Sequence, residues 1–234
     1  MTALLPLPDL ARLLSSPARA TMLAALQEGR ALAAGELART AGVAPSTASE
    51  HLAVLGDAGL VTALSSGRHR YYRLSGPDVA DLVEAWFRLA PPAPPRSLRA
   101  SKQARSLAFA RTCYDHLAGR LGVAVHEAVL QRGWLVATTD GYDVTAAGAV
   151  GLHELGVYVD AGRDDRRPLV RPCLDWTERR HHLAGSLPAQ LCRTMLSDGW
   201  LRRAQVGRGL VLTDVGAARL HHVLGLDVDA ARAG

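Results

Sequence analysis

The sequence predicts a mainly α protein with small β-wings (α+β): an N-terminal winged helix-turn-helix followed by a C-terminal domain of two winged-helix-like repeats. Three observations predict it. Residues 7–89 order themselves as helix, helix, short helix, turn, helix, hairpin and helix. "PPAPPRS", from Pro91 to Ser97, then places four prolines in five residues, which no helix interior or central strand accepts. Downstream of it a twenty-residue stretch occurs twice: from His116 and from His182, without a gap, nine of twenty positions are identical. The organisation is therefore 1–90, a linker at 91–97, and 98–234 with repeats at about 105–157 and 171–226.

Each N-terminal element has a local cause. Residues 7–14 and 17–29 read as helices, the second capped by Ser16 with Pro17 at its first position and Gly29 just past its end. "AGELARTAG" is a short helix that stops at Gly42. "VAPSTASEHLAVLGDAGL" is a turn and then a helix that packs through Leu52, Val54 and Leu55. Two β-leaning runs around Ser65, Ser66 and Gly67 read as a hairpin. A last helix from Gly76 to about Leu89 gathers Val79, Leu82, Val83, Trp86 and Leu89 on one face.

The repeats are expected to follow the same plan. In each, a helix ends at Gly (Gly42, Gly119, Gly185), and a second helix ends at Gly59-Leu60, Gly133-Trp134 or Gly199-Trp200. A hairpin and a further helix follow. On this plan "SLAFARTCYDHLAG" is helical, with Cys113 and His116 sharing a face. "CLDWTERRHHLAG" becomes a short helix capped by Asp175 with Glu178, Trp176 and Leu183 lying on one side.

Composition narrows the function. A 48% hydrophobic chain of 234 residues, with no apolar run of the roughly 18 residues that span a bilayer, reads as a globular protein without a membrane partner. Three cysteines without CxxC spacing, and no signal-peptide pattern at the N-terminus, point to a reduced, cytoplasmic setting. The chain carries a net +5, yet residues 1–90 balance eight arginines against eight acids. Its basicity is local, in "SGRHRYYRL", and reads as a phosphate contact. None of GxGxxG after a strand, GxxxxGK[ST], HExxH or GxSxG occurs, so the chain is not expected to be an enzyme. An enzyme or a protein–protein scaffold is the remote alternative.

The residues placed to touch DNA are Pro45, Ser46, Thr47, Ser49 and Glu50 at the start of the second helix of the motif, and Arg68, His69 and Arg70 at the wing. Short hydroxyl side chains let a helix N-terminus approach a phosphate or base edge, and an arginine at the wing reaches the negative potential of a minor groove. These runs, "LARTAGVAPSTASEHLAVLGDAGLV" and "SGRHRYYRL", resemble the ArsR/SmtB family of winged-helix repressors over residues 8–90. The resemblance implies a homodimer on an inverted-repeat operator of double-stranded DNA, with a small-molecule or metal effector. It does not carry over that family's metal sites. Where metal-sensing members have Cys-x-Cys this chain has Ala33 and Gly35, and its last N-terminal helix offers Asp78, Asp81 and Glu84 without a histidine. The C-terminal domain is therefore expected to sense an effector or support the dimer.

No cofactor is called for. A metal ion or reactive thiol is the alternative, giving a metal- or thiol-responsive repressor, with Cys113, His116, Cys173 and His181 as candidates and with His182 in place of His181, and Cys192, as further members of such a site. Against it, reduced cysteines usually just pack.

Overall fold

Ser16 accepts the Arg19 amide at 3.4 Å and starts α2, Pro17–Leu26, behind the short α1, Leu7–Leu14. The computed structural model describes residues 6–67, 69–89, 97–160, 167–205 and 207–233, apart from the side chains of His69 and Ala233. Residues 90–96, which include all of the 91–97 linker but Ser97, and Arg68 lie outside the described residues. A two-residue strand that sequence patterning missed, β1 (Leu32–Ala33), precedes α3, Ala34–Ala41, which ends at Gly42 in the left-handed conformation, φ 66°. The recognition helix follows as α4, Pro45–Asp57, then β2 (Val61–Ser66), β3 (His69–Leu74) and α5 (Pro77–Leu89). The strands form one antiparallel sheet in the order β1-β3-β2, and Ser65 and Ser66 belong to β2, Ser66 pairing with His69. Met22, Leu23, Leu26, Leu37, Leu52, Leu55, Leu74 and Val83 fill the core of this unit. Val54 does not join them: it is 41% exposed, at the rim of an open groove that Leu13 of α1 and Arg19 of α2 also line.

Contacts divide the chain into two compact units, Met1–Ala90 and Pro91–Gly234. The second begins with α6, Leu98–Phe109, capped by the Ser97 hydroxyl. A hairpin, β4 (Arg111–Cys113) and β5 (His116–Ala118), comes next, followed by α7 (Arg120–Gln131). The wing β6 (Leu135–Thr138) with β7 (Gly141–Val144) and α8 (Ala146–Glu154) complete the first repeat. The second repeat has the same order: hairpin β8 (Arg171–Leu174) and β9 (His181–Ala184), α9 (Ser186–Ser197), wing β10 (Leu201–Arg203) and β11 (Leu210–Leu212), and α10 (Asp214–Leu224). A short α11, Val228–Ala233, closes the described chain.

Two expectations need correction here. "TCYDHLAG" and "CLDWTERRHHLAG" are hairpins rather than helices. Local helix preference loses to long-range strand pairing: Thr112 donates to Arg208 O at 2.9 Å and Leu210 to Ala110 O at 2.8 Å. Gly119 and Gly185 do not end helices but precede them, at φ 81° and 115° with ψ −173° at both. A Cβ at Gly119 would sit 2.7 Å from Ala108 O, and at Gly185 2.6 Å from Leu169 O, so only glycine fits either corner. Asp175 does cap, as expected, but it caps a turn: its carboxylate accepts the amides of Thr177 and Glu178 at 2.9 and 3.2 Å.

The repeats interlock. α7 packs on β9 of the second repeat and α9 on β5 of the first. One continuous core holds Leu121, Val125, Trp134 and Leu155 of the first repeat together with Leu187, Met195, Trp200 and Leu220 of the second. The wings are pinned alike: Thr145 and Thr213 each cap the following helix through the amide three residues on, at 3.0 and 3.1 Å.

Candidate functional site

The DNA-facing reading rests on the first turn of α4. Its cap, Ala44, has no side chain to offer, and Pro45 at the first position has no N–H, so the free amides of the turn belong to the residues just after it. Pro45, Ser46, Ser49 and Glu50 are exposed and Thr47 is half-buried, while Ala48 and Leu52 anchor the opposite side. The Ser49 hydroxyl donates to Pro45 O at 3.0 Å, which leaves its oxygen as an acceptor toward solvent. Arg70 is exposed on β3, its guanidinium carbon 5.4 Å from the centre of the Tyr72 ring, and Arg73 is exposed three residues further along the same strand. Arg68 lies outside the described residues, as does the side chain of His69.

The matching helices of the repeats present no such turn. Leu121 and Val123 at the start of α7, and Leu187, Pro188 and Ala189 at the start of α9, are buried, Leu121 and Leu187 in the shared core. An apolar cavity between the repeats, lined by Leu117, Val125, Trp134, Leu183, Leu187 and Leu191, holds about 30 Å³.

What the second unit does assemble is a buried group of two thiols and two imidazoles. Cys113 and His116 face each other across β4–β5, where a two-residue turn forces Tyr114 to a left-handed φ of 58°. Cys173 and His182 face each other across β8–β9. One ligand atom from each of the four lies within 4.8 Å of all the others. All four residues are buried: Cys113 at 2%, His116 at 3%, Cys173 at 6% and His182 at 0% exposure. Of the sequence candidates, Cys113, His116 and Cys173 come together. His181 does not: strand alternation turns it to solvent and its neighbour His182 inward. Cys192 is buried elsewhere on α9, where burial pushes its thiol up to about 12.

The surroundings are polar and were not legible in the sequence. His116 Nδ1 lies 3.2 Å from Asp115 Oδ1, and Asp115 is held in turn by Arg167 at 2.7 Å. His182 Nδ1 lies 3.3 Å from Asp175 Oδ2, an ion-pair contact, and the two imidazole Nε2 atoms face each other at 3.2 Å. Asp175, fully buried, also takes Arg111 Nη2 at 2.7 Å, the Thr177 hydroxyl at 2.7 Å and the Gly119 amide at 2.7 Å. Arg111 is fully buried as well, its guanidinium carbon 5.0 Å from the centre of the Trp176 ring. Burial would raise the Asp175 carboxyl, but His182 and Arg111 outweigh it and hold it far below the usual carboxylate range. Burial would likewise raise Asp115, and His116 and Arg167 bring it down to about 2. On the imidazoles burial acts the other way, and it loses too. Cys113 and Asp115 raise His116, and Asp175 and Cys113 push His182 up to about 9.

No helix among the described residues is long and apolar enough to cross a membrane. A helix-turn-helix domain model, HTH_20, matches residues 14–62, from the end of α1 into β2. The chain is 42% identical over 212 residues to the uncharacterized HTH-type transcriptional regulator YdfF of Bacillus subtilis, covering 89% of this chain and 94% of that protein. Two solved structures illustrate the similarity of its smaller part. The homodimeric winged helix-turn-helix domain of Mb0332 from Mycobacterium bovis, a possible ArsR-family regulator, is 31% identical over 36% of this chain and 76% of its own, at a TM-score of 0.33. The cadmium sensor CMTR of Mycobacterium tuberculosis is 34% identical over 36% and 84%, at 0.30. With identity sustained across nearly the whole of both chains, the protein belongs to the family of HTH-type transcriptional regulators, its first unit carrying the helix-turn-helix domain.

Proposed function

We propose that the chain is a cytoplasmic, homodimeric ArsR-type repressor that binds an inverted-repeat operator and is released by an effector acting on the C-terminal unit. The observation that carries it is the first turn of α4, uncapped by any side chain and presenting Ser46, Ser49 and Glu50 to solvent beside a wing that exposes Arg70. Phosphates favour free helix N-terminal amides, and hydroxyls and a carboxylate there can read base edges. A two-fold pair of such helices fits half-sites about one helical turn apart.

A gel-shift titration of the full chain on its own upstream DNA tests this. A complex that survives moderate salt and excess nonspecific duplex is expected, and footprinting should show two symmetric half-sites. Arg70→Ala should weaken binding to all sequences alike and lower the salt slope by about 1 per wing that touches a phosphate. Binding that does not discriminate among sequences, or is untouched by changes in both α4 and the wing, would sink the reading.

A further inference from the structure

We propose that Cys113, His116, Cys173 and His182 form a closed tetrahedral site for a resident Zn²⁺ ion, shared equally between the two repeats and fastening their first hairpins together. The proposal concerns the C-terminal unit and stands apart from the DNA-binding reading.

Placement is the first argument. Each repeat contributes one cysteine and one histidine as a directly opposed cross-strand pair, Cys113 with His116 and Cys173 with His182. His116 and His182 are equivalent positions of the sequence repeat, 66 residues apart, and they meet face to face. Cys113 and Cys173 are equivalent through their partners, although 60 residues apart, because the second hairpin has a longer loop. A set of four ligands is thus completed only where the two repeats meet.

The histidines are also oriented for it. A carboxylate beside Nδ1, Asp115 for one ring and Asp175 for the other, favours the proton on that nitrogen. The Nε2 lone pairs then point inward, at each other, 3.2 Å apart. A cation placed between two nitrogens so aimed is bound by both. With Zn–N bonds of 2.0–2.1 Å, a tetrahedral site separates two nitrogens by about 3.3 Å, and with Zn–S bonds of 2.3 Å two sulfurs by about 3.8 Å. Both spans fall inside the 4.8 Å that contains all four ligand atoms.

Ordinary packing explains less. Small buried cysteines need no reason, but two imidazoles, the Asp175 carboxylate and Arg111 buried around them cost desolvation that apolar residues would avoid. Two sulfurs and two imidazole nitrogens exclude Ca²⁺ and Mg²⁺, which take oxygen ligands. Four protein ligands and no open position make the site structural, so the ion serves as a strut between the repeats and not as a catalyst.

The test uses the full chain, produced with zinc in the medium and purified under reductant. Elemental analysis should find one zinc per chain. After chelation, titration with Co²⁺ should give intense visible bands of a tetrahedral ion and near-ultraviolet thiolate charge-transfer bands, both saturating at one equivalent. Cys113→Ser and Cys173→Ser should each diminish the charge-transfer bands. Cys192→Ser should leave them unchanged, and Asp115→Asn should weaken Zn²⁺ binding by roughly 10–100-fold. Absence of bound zinc together with a cobalt spectrum lacking thiolate bands overturns the proposal, and that reading needs no variant to fold. Thiolate bands undiminished in the Cys113→Ser, Cys173→Ser double variant overturn it equally.

Discussion

Arg111 and Asp175 are each fully buried and 2.7 Å apart, and they join the first strand of one repeat to the hairpin loop of the other. A pair of this kind adds little over apolar packing, but removing Arg111 leaves the buried Asp175 carboxylate to His182, Thr177 and the Gly119 amide alone. Arg111→Ala should therefore destabilise the C-terminal unit by about 3–5 kcal/mol, read as a fall in the denaturant midpoint at unchanged slope. The Arg111→Ala, Asp175→Ala double variant should lose less than the sum of the two singles, since the interaction between the two side chains is lost only once. Additive losses would show that the two side chains act separately. Neither residue could be found in the sequence: Arg111 is one of many arginines, and Asp175 fits a helix cap equally well on paper. His182 was hidden for a related reason. Two adjacent histidines give no clue to which faces inward until the segment is known to be a strand and its register is set.

At the scale of elements, the N-terminal unit was largely legible, because its signals are local: Ser16 and Pro17 start a helix, Gly42 stops one, and a run with Val61 and Thr62 before Gly67 and a pair of tyrosines after it make the wing. Only the two-residue β1 escaped, having no period to detect. In the repeats the same residue types misled, since a glycine after an apolar run reads as a helix stop when it can as well be the corner that opens one. Gly185 is such a corner, at φ 115° and ψ −173°, with Leu169 O and Pro168 O 2.6 and 2.7 Å from where a Cβ would be. Gly185→Ala should cost at least about 1–3 kcal/mol for the backbone conformation, with the clash added to it. Gly42→Ala, with nothing within 4 Å of its added Cβ, should cost only the left-handed penalty of about 1–2 kcal/mol. Thermal denaturation of both variants compares them directly; equal losses would mean that the hairpin–helix corner relaxes freely.

At the scale of the molecule, the duplication is plain in the sequence, but the way its halves depend on each other is not. The helix of each repeat packs on the hairpin strand of the other, and the wing of the first repeat meets the segment that leads into the second hairpin, Tyr142 donating to Val170 O at 3.1 Å. Trp134, 8% exposed, lies in a core that includes Leu187, Leu191 and Met195 of the opposite half. A repeat alone would leave the inner faces of α7 and β5 in water, and a segment of that size cannot offset its chain entropy without them. Residues 97–160 produced alone should therefore show no cooperative thermal transition, and Trp134, the single tryptophan of that fragment, should emit at the wavelength of a solvated indole. Residues 97–234 should melt cooperatively with Trp134 shielded. Mixing the fragment with residues 161–234 should restore part of the shielding, because the surfaces that complete each half belong to the other. A cooperative transition in residues 97–160 alone would mean instead that each repeat closes its own core.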